Sequence, residues 1–223
     1  SATRLTQTLN AQKFTHLPLM VPLPVIGRSP APTGASRRYG PQMEMWKLLS
    51  ERPGPAGYLT VSTRTYAMPD ARKSDWDVLV GSRTVAVLAL TGNGDVVLTR
   101  QFRPGPGRVL CELPGGLVEE HEGILDAAAR ELREETGYVA DEMTLVGQTW
   151  LASYATHLRH AVLATGCRPT SEQQMDTDEF CEVVTVPSTT FLAYLRSGDL
   201  TDADMAWMCL DRLHPWMPPK APQ

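Results

Sequence analysis

The sequence predicts an α+β fold, a mixed sheet with helices packed on its faces, preceded by a small N-terminal β module. Three observations predict it. From Gly57 the chain passes through β-branched and aromatic segments broken by turn residues. One long segment, Glu122 to Thr136, changes to a helical period. Strand-like segments then return before two more helical ones, an order that sets helices against a sheet.

The elements follow in order. Tyr58 to Tyr66 is rich in Thr, Val and Tyr and is broken by Ala67-Met68-Pro69-Asp70, and Trp76 to Val80 is a second short strand. Thr84 to Leu90 is an apolar run without alternation, which predicts a strand buried on both faces. Thr91-Gly92-Asn93-Gly94-Asp95 is a hairpin turn, and Val96 to Phe102 returns from it. In the helix from Glu122 to Thr136, Leu125, Ala128, Ala129 and Leu132 recur at helical spacing as its apolar stripe, and Gly137 stands where a helix stops. Strands at Thr144–Leu151, His160–Ala164 and Glu182–Val186 follow, then helices at Ser188–Ser197 and Asp202–Leu213. The predicted division is a loosely structured arm rich in Pro and Arg over 1–43, the β module over 44–80, the main domain over 81–214 and a Pro-rich tail over 215–223.

The bulk numbers narrow the function classes. Of 223 residues, 42% are apolar, enough for a real core. The net charge of −4 speaks against a protein that coats nucleic acid, which is usually basic. That mean hides an asymmetry: residues 1–43 hold no Asp or Glu but carry Arg4, Lys13, Arg28, Arg37 and Arg38, so the remaining chain is acidic. The cysteines, Cys111, Cys167, Cys181 and Cys209, form no C-x-x-C pair and read as core thiols of a reducing compartment. The expected location is cytoplasmic, or an organelle matrix if residues 1–43 derive from a transit peptide. The longest apolar run, Leu17 to Ile26, is broken by Pro18, Pro22 and Pro24, so no membrane span is expected.

The chemistry lies between Gly116 and Tyr138. Glu131, Glu134 and Glu135 sit at i, i+3 and i+4 of the predicted helix, which puts three carboxylates on one face. Such a cluster repels itself unless a cation joins it, and hard oxygen ligands suit Mg²⁺, with Mn²⁺ as a substitute, over zinc. Arg130 reaches Glu134 one turn on and orients the cluster, and the preceding Leu113-Pro114-Gly115-Gly116 lets backbone come close to a metal or phosphate. Alone, R-E-L-R-E-E reads as a solvated charged helix face. What lifts it out of that class is the fixed spacing to Gly116, Glu122 and Gly137.

Gly116, Glu122, Arg130, Glu131, Leu132, Glu134, Glu135 and Gly137 fit G-x5-E-x7-R-E-U-x-E-E-x-G-U, where U is bulky and apolar; Tyr138 fills the last slot, a departure from the usual Ile, Leu or Val. The chain therefore resembles the Nudix hydrolase superfamily. The likeness extends over about 57–213, through Gln101-Phe102-Arg103, Glu112-Leu113-Pro114-Gly115-Gly116, 178–183 and 198–203, and is greatest to the ADP-ribose pyrophosphatase and nucleotide-sugar branch. The resemblance implies an α/β/α sandwich and metal-dependent hydrolysis of the pyrophosphate in a nucleoside diphosphate linked to another group, ADP-ribose or a related nucleotide sugar first. It implies Glu131, Glu135 and the Gly115 carbonyl as metal ligands with Glu134 beside them. Arg103, Glu112, Gly116 and Tyr154 are its implied substrate contacts, and Glu122, Arg130 and Gly137 its structural support. The general base is implied to come from the loop Pro169–Glu179, which offers Glu172, Asp176, Asp178 and Glu179, with Glu179 or Asp176 favoured. A homodimer whose N-terminal strands, within 57–80, cross between subunits is also implied.

The branch usually carries a Pro-Gly turn about fifteen residues past the box, whereas Trp150 to His157 has neither residue. This keeps other nucleotides open as substrates: a dinucleotide cofactor, a nucleoside triphosphate or a capped RNA end. A non-catalytic ligand-binding module is the reading from a different class; loss of box carboxylates would favour it, and none is lost. His157 and His160 lack the spacing of a two-histidine metal site on a helix.

Overall fold

Two sheets share the chain. In the first, β1 (Lys47–Pro53), β2 (Thr60–Ala67) and β3 (Lys73–Val80) are antiparallel in the order β1-β2-β3. Cross-strand polar pairs hold it: Arg64 donates to Glu51 at 2.8 Å, Arg52 to Asp75 at 3.0 Å and Thr63 to Asp77 at 2.8 Å. Leu48, Leu59 and Trp76 remain exposed on it. The computed structural model describes residues 47–54, 57, 59–170, 173 and 181–213. The expectations placed on the 1–43 arm, the 215–223 tail and the base candidates Glu172, Asp176, Asp178 and Glu179 lie outside the described residues.

The second sheet is mixed. Its strands are β4 (Arg83–Thr91), β5 (Val96–Arg103), β6 (Arg108–Glu112), β7 (Tyr138–Val139), β8 (Glu142–Trp150), β9 (Leu158–Pro169) and β10 (Cys181–Val186). β4 and β9 run parallel at the centre; β5 and β10 extend one side, β7 and β8 the other, and β6 pairs with the far half of β5. As expected, Val85 to Leu90 are buried without a break. Val85, Val87 and Ala89 pack with Ala127, Ala128 and Leu132 of α1 (Ile124–Thr136), whereas Cys209 of α3 (Ala203–Leu213) meets Leu88 on the opposite face. Helices on both faces make the α/β/α sandwich, and α2 (Ser188–Ser197) adds Phe191 and Leu195 to the core.

Four expectations shift. α1 begins at Ile124, leaving Glu122 before the helix. Its buried stripe is Ala127, Ala128, Leu132, Glu135 and Thr136, and Leu125 and Ala129 are exposed. A count of apolar residues cannot find that register, because the inward face runs on through a glutamate. β1 and β6 were not foreseen; Lys-Leu-Leu-Ser-Glu-Arg-Pro and Arg-Val-Leu-Cys-Glu show no strict alternation, and pairing with longer neighbours makes them strands. β9 is longer than predicted, continuing through Gly166, whose φ of 67° absorbs an irregularity next to Asp141.

Candidate active site

The glycine loop is tied to β4 as an extra strand. Val85 N–H donates to the Gly116 carbonyl at 2.9 Å, Val87 N–H to the Pro114 carbonyl at 2.8 Å, and Val118 N–H to the Arg83 carbonyl at 3.0 Å. Gly115 packs so closely that a Cβ would overlap the Val85 carbonyl, and a Cβ on Gly116 would strike the Glu131 carboxylate. The buried Glu135 carboxylate accepts the Gly115 N–H at 2.9 Å. The loop and two of the three α1 acids are thus in direct contact. Gly137, in the left-handed conformation at φ 71°, ends α1 and donates its N–H to the Arg133 carbonyl at 2.8 Å.

Arg130 stands at the hub of the acids. Its Nε donates to Glu122 at 3.0 Å, its Nη1 to Glu131 at 2.9 Å and Glu134 at 3.1 Å, and its Nη2 to the Leu117 carbonyl at 2.9 Å. These bonds, the one to Glu122 first, hold the guanidinium pKa above its ordinary value, and Arg130 in turn holds the Glu122 carboxyl below the usual range. The sequence spacing brings the acids to one face as expected. Among the described residues, however, no three of His, Cys, Asp or Glu converge on one point; Arg130 draws Glu131 and Glu134 while Glu135 turns to the loop. The donor set still fits a hard divalent cation. Three carboxylates, Glu122, Glu131 and Glu134, share one guanidinium and a fourth, Glu135, follows on α1, an excess of negative charge, and no thiol or imidazole belongs to the group.

Gly115 and Gly116 line a cleft of about 490 Å³. Arg103 and Glu112 line it from β5 and β6, where Arg103 donates from Nε at 2.7 Å and also from Nη2. Glu112 raises the Arg103 pKa through these bonds. Among the described residues no hydrogen bond engages Arg103 Nη1, and the side chain is 45% exposed, so its outer edge faces the cleft. A smaller hollow of about 280 Å³ lies by Arg133 and Met143 and does not include the glycine loop; Glu131, Glu134 and Glu135 line neither hollow, and the larger one meets them only through Gly115 and Gly116.

Tyr154 does not line the cleft. Its carbonyl accepts the Leu79 N–H at 2.8 Å, which fixes the backbone against β3, and the residue is 62% exposed. Leu151 and His157 form that wall instead. His157 Nε2 bonds the Thr84 hydroxyl at 2.9 Å, and burial first, then Arg159, lowers its pKa. His160 is buried, with Nδ1 3.0 Å from the Thr84 carbonyl. Thr201 and Asp202 complete the cleft; the sequence placed both within the 198–203 stretch of the resemblance and Asp202 at a helix start, without a site role for either. The long-range pairings that bring 157 to 84 and 202 to 112 leave no local signal.

A NUDIX domain model matches residues 82–220. The ADP-ribose pyrophosphatase of Bacillus subtilis is 32% identical over 142 residues, covering 63% of this chain and 77% of that relative. The methanol dehydrogenase activator of Bacillus methanolicus is 28% identical over 61% of this chain and 75% of its own. The mouse ADP-sugar pyrophosphatase is 32% identical over 45% of this chain and 49% of its own. A solved structure described as an ADP compounds hydrolase superposes with a TM-score of 0.67, covering 76% of this chain and 93% of that one, at 19% identity; this likeness speaks to the fold. The chain belongs to the Nudix family. It is a pyrophosphohydrolase, with an intact acidic box. No helix among the described residues is long and apolar enough to cross a membrane.

Proposed function

We propose that this chain hydrolyses the pyrophosphate of ADP-ribose or a related nucleotide sugar, giving a nucleoside monophosphate and a sugar phosphate. The observation that carries the reading is the contact of Glu135 and Glu131 with Gly115 and Gly116, the two glycines that line the cleft. The similarity to the ADP-ribose pyrophosphatase of Bacillus subtilis points to the substrate.

In this reading Glu131, Glu134, Glu135 and the Gly115 carbonyl would hold Mg²⁺, with Mn²⁺ as a substitute. Held there, the ion would supply charge neutralisation for the pyrophosphate and a lowered pKa for a water. Arg103 binds phosphate oxygens through its free edge, with Glu112 fixing the guanidinium plane. Gly116 lets a phosphate approach the loop, and Glu122 with Arg130 orients the acids. Glu179 or Asp176 accepts the proton of the water that attacks phosphorus, as the bridging P–O bond breaks. The main domain spans 81–214, and the β module over 44–80 pairs two subunits.

The test is product analysis with Mg²⁺ and a panel of ADP-ribose, other nucleotide sugars, dinucleotides, triphosphates and capped RNA. ADP-ribose is expected to yield AMP and ribose 5-phosphate fastest. Faster cleavage of a triphosphate or capped RNA would overturn the substrate assignment, and absence of cleavage across the panel would overturn the enzyme reading.

A further inference from the structure

One wall of the cleft carries a second acid, Asp202, to which the hydrolysis itself gives no part. Glu112, 2% exposed, and Asp202 both line it, as does Thr201. The two acids are close enough that the Glu112 charge raises the Asp202 pKa, after burial as the larger cause and against the pull of Arg159. Each acid already has its own cation. Arg103 is bound to Glu112, and Arg159 Nη2 donates to Asp202 at 2.6 Å while its Nη1 donates to Asp204 at 2.9 Å. The Thr201 hydroxyl also lies 3.3 Å from Asp202.

The charge count of this wall decides what it accepts. Arg159 is shared between two aspartates, so it has no positive charge left for a further phosphate. Carboxylate oxygens facing a cleft accept hydrogen bonds and repel anions. The part of a ligand that sits here must therefore carry donors and no negative charge. Asp202 suits the task because its backbone, not its carboxylate, starts α3: its carbonyl accepts the Ala206 N–H at 3.0 Å. The side chain keeps 19% of its surface accessible and is held in place by Arg159.

We infer that Asp202, with Thr201 and Glu112, is the subsite for the neutral, hydroxyl-bearing group on the far side of the diphosphate, and so selects sugars over terminal phosphates. This rests on the proposed pyrophosphohydrolase reading and deepens it. It makes Asp202 a specificity residue that binds hydroxyls of the substrate and leaves bond cleavage to the α1 acids.

The experiment compares ADP-ribose with an ADP ethyl ester, which keeps the diphosphate and lacks the sugar hydroxyls, in the wild type, Asp202→Ala and Asp204→Ala. Asp204 shares Arg159 but does not line the cleft, so its variant controls for loss of the ion pair. The wild type is expected to prefer ADP-ribose. Asp202→Ala should lower kcat/KM for ADP-ribose by about tenfold, mainly through KM, the size of one lost charge-assisted hydrogen bond, and leave the ethyl ester within about twofold. Asp204→Ala should change neither. Equal losses on both substrates in Asp202→Ala would show a scaffold role and overturn the inference, as would an unchanged ADP-ribose rate. A wild type that cleaves the ester but does not prefer ADP-ribose overturns the subsite and leaves pyrophosphate hydrolysis standing. A wild type that cleaves neither removes the functional reading and the subsite with it.

Discussion

Gly115 and Gly116 are neighbours with different obligations. A methyl group on Gly115 meets the carbonyl of Val85, a backbone atom in the central strand that cannot give way. On Gly116 it meets the carboxylate of Glu131, the far end of a flexible side chain. Gly115→Ala should therefore cost stability, about 1–3 kcal/mol as for other overpacked sites, seen as a lower urea midpoint. Gly116→Ala should leave that midpoint nearly unchanged and lower hydrolysis by displacing Glu131. His157 offers a test by pH. Its pKa is lowered from 6.5 by burial and Arg159, so the unfolded chain binds the proton first as pH falls. The stability it contributes is full above about 6.5 and is lost as pH falls through that value toward its folded pKa. Urea midpoints from pH 7.5 to 5.5 should fall more steeply in the wild type than in His157→Gln; parallel curves would contradict the assignment.

α1 shows what a helix can and cannot announce. Its existence, its stop at Gly137 and the common face of Glu131, Glu134 and Glu135 were legible, because they depend on spacing along one element. Its register was not. Glu135 belongs to the buried face, since the Gly115 N–H waits there as a partner, and sequence patterns score a glutamate as outward. The cleft walls were hidden for a related reason: Arg103–Glu112 is a pair across a hairpin, and Asp202–Arg159 joins residues 43 apart. Arg130 is the counter-ion of three glutamates in this helix and the turn before it. In Arg130→Gln those acids repel one another, so its Tm in chelator should fall below the wild type's. Added Mg²⁺ should recover more of it than in the wild type, as a cation that binds the folded state takes over the neutralisation. An equal Mg²⁺ response in both proteins would separate Arg130 from the metal site.

Across the whole molecule, the small β1–β3 sheet touches the mixed sheet beside the cleft. Thr156 N–H donates to the Leu79 carbonyl at 2.9 Å, and Gly81 packs against His157 so tightly that a Cβ would collide with it. The wall that holds Leu151 and His157 is thus fixed by strand β3. The mixed sheet and flanking helices were readable because burial of Val85 to Leu90 demands cover on both faces. The attachment of the small sheet was not, because it joins residues 75 or more apart through backbone hydrogen bonds, the Thr156 hydroxyl and a close glycine contact, none of which leaves a local pattern. Its exposed Leu48 and Leu59 suit the proposed subunit pairing. The chain should run as a dimer in light scattering, and Leu48→Glu with Leu59→Glu should yield a folded monomer; a wild-type monomer would contradict it.

In the proposed function the acids of α1, joined to the glycine loop, hold the divalent cation on which cleavage depends. The measurement that tests it most directly is the rate of ADP-ribose hydrolysis with saturating Mg²⁺ in the wild type, Glu131→Gln and Glu135→Gln, with melting curves confirming that each variant is folded. Loss of a metal ligand removes several kcal/mol of transition-state stabilisation, so the account predicts rates lower by roughly a thousandfold in folded variants. Rates within a few-fold of the wild type would contradict it and move the chemistry away from α1.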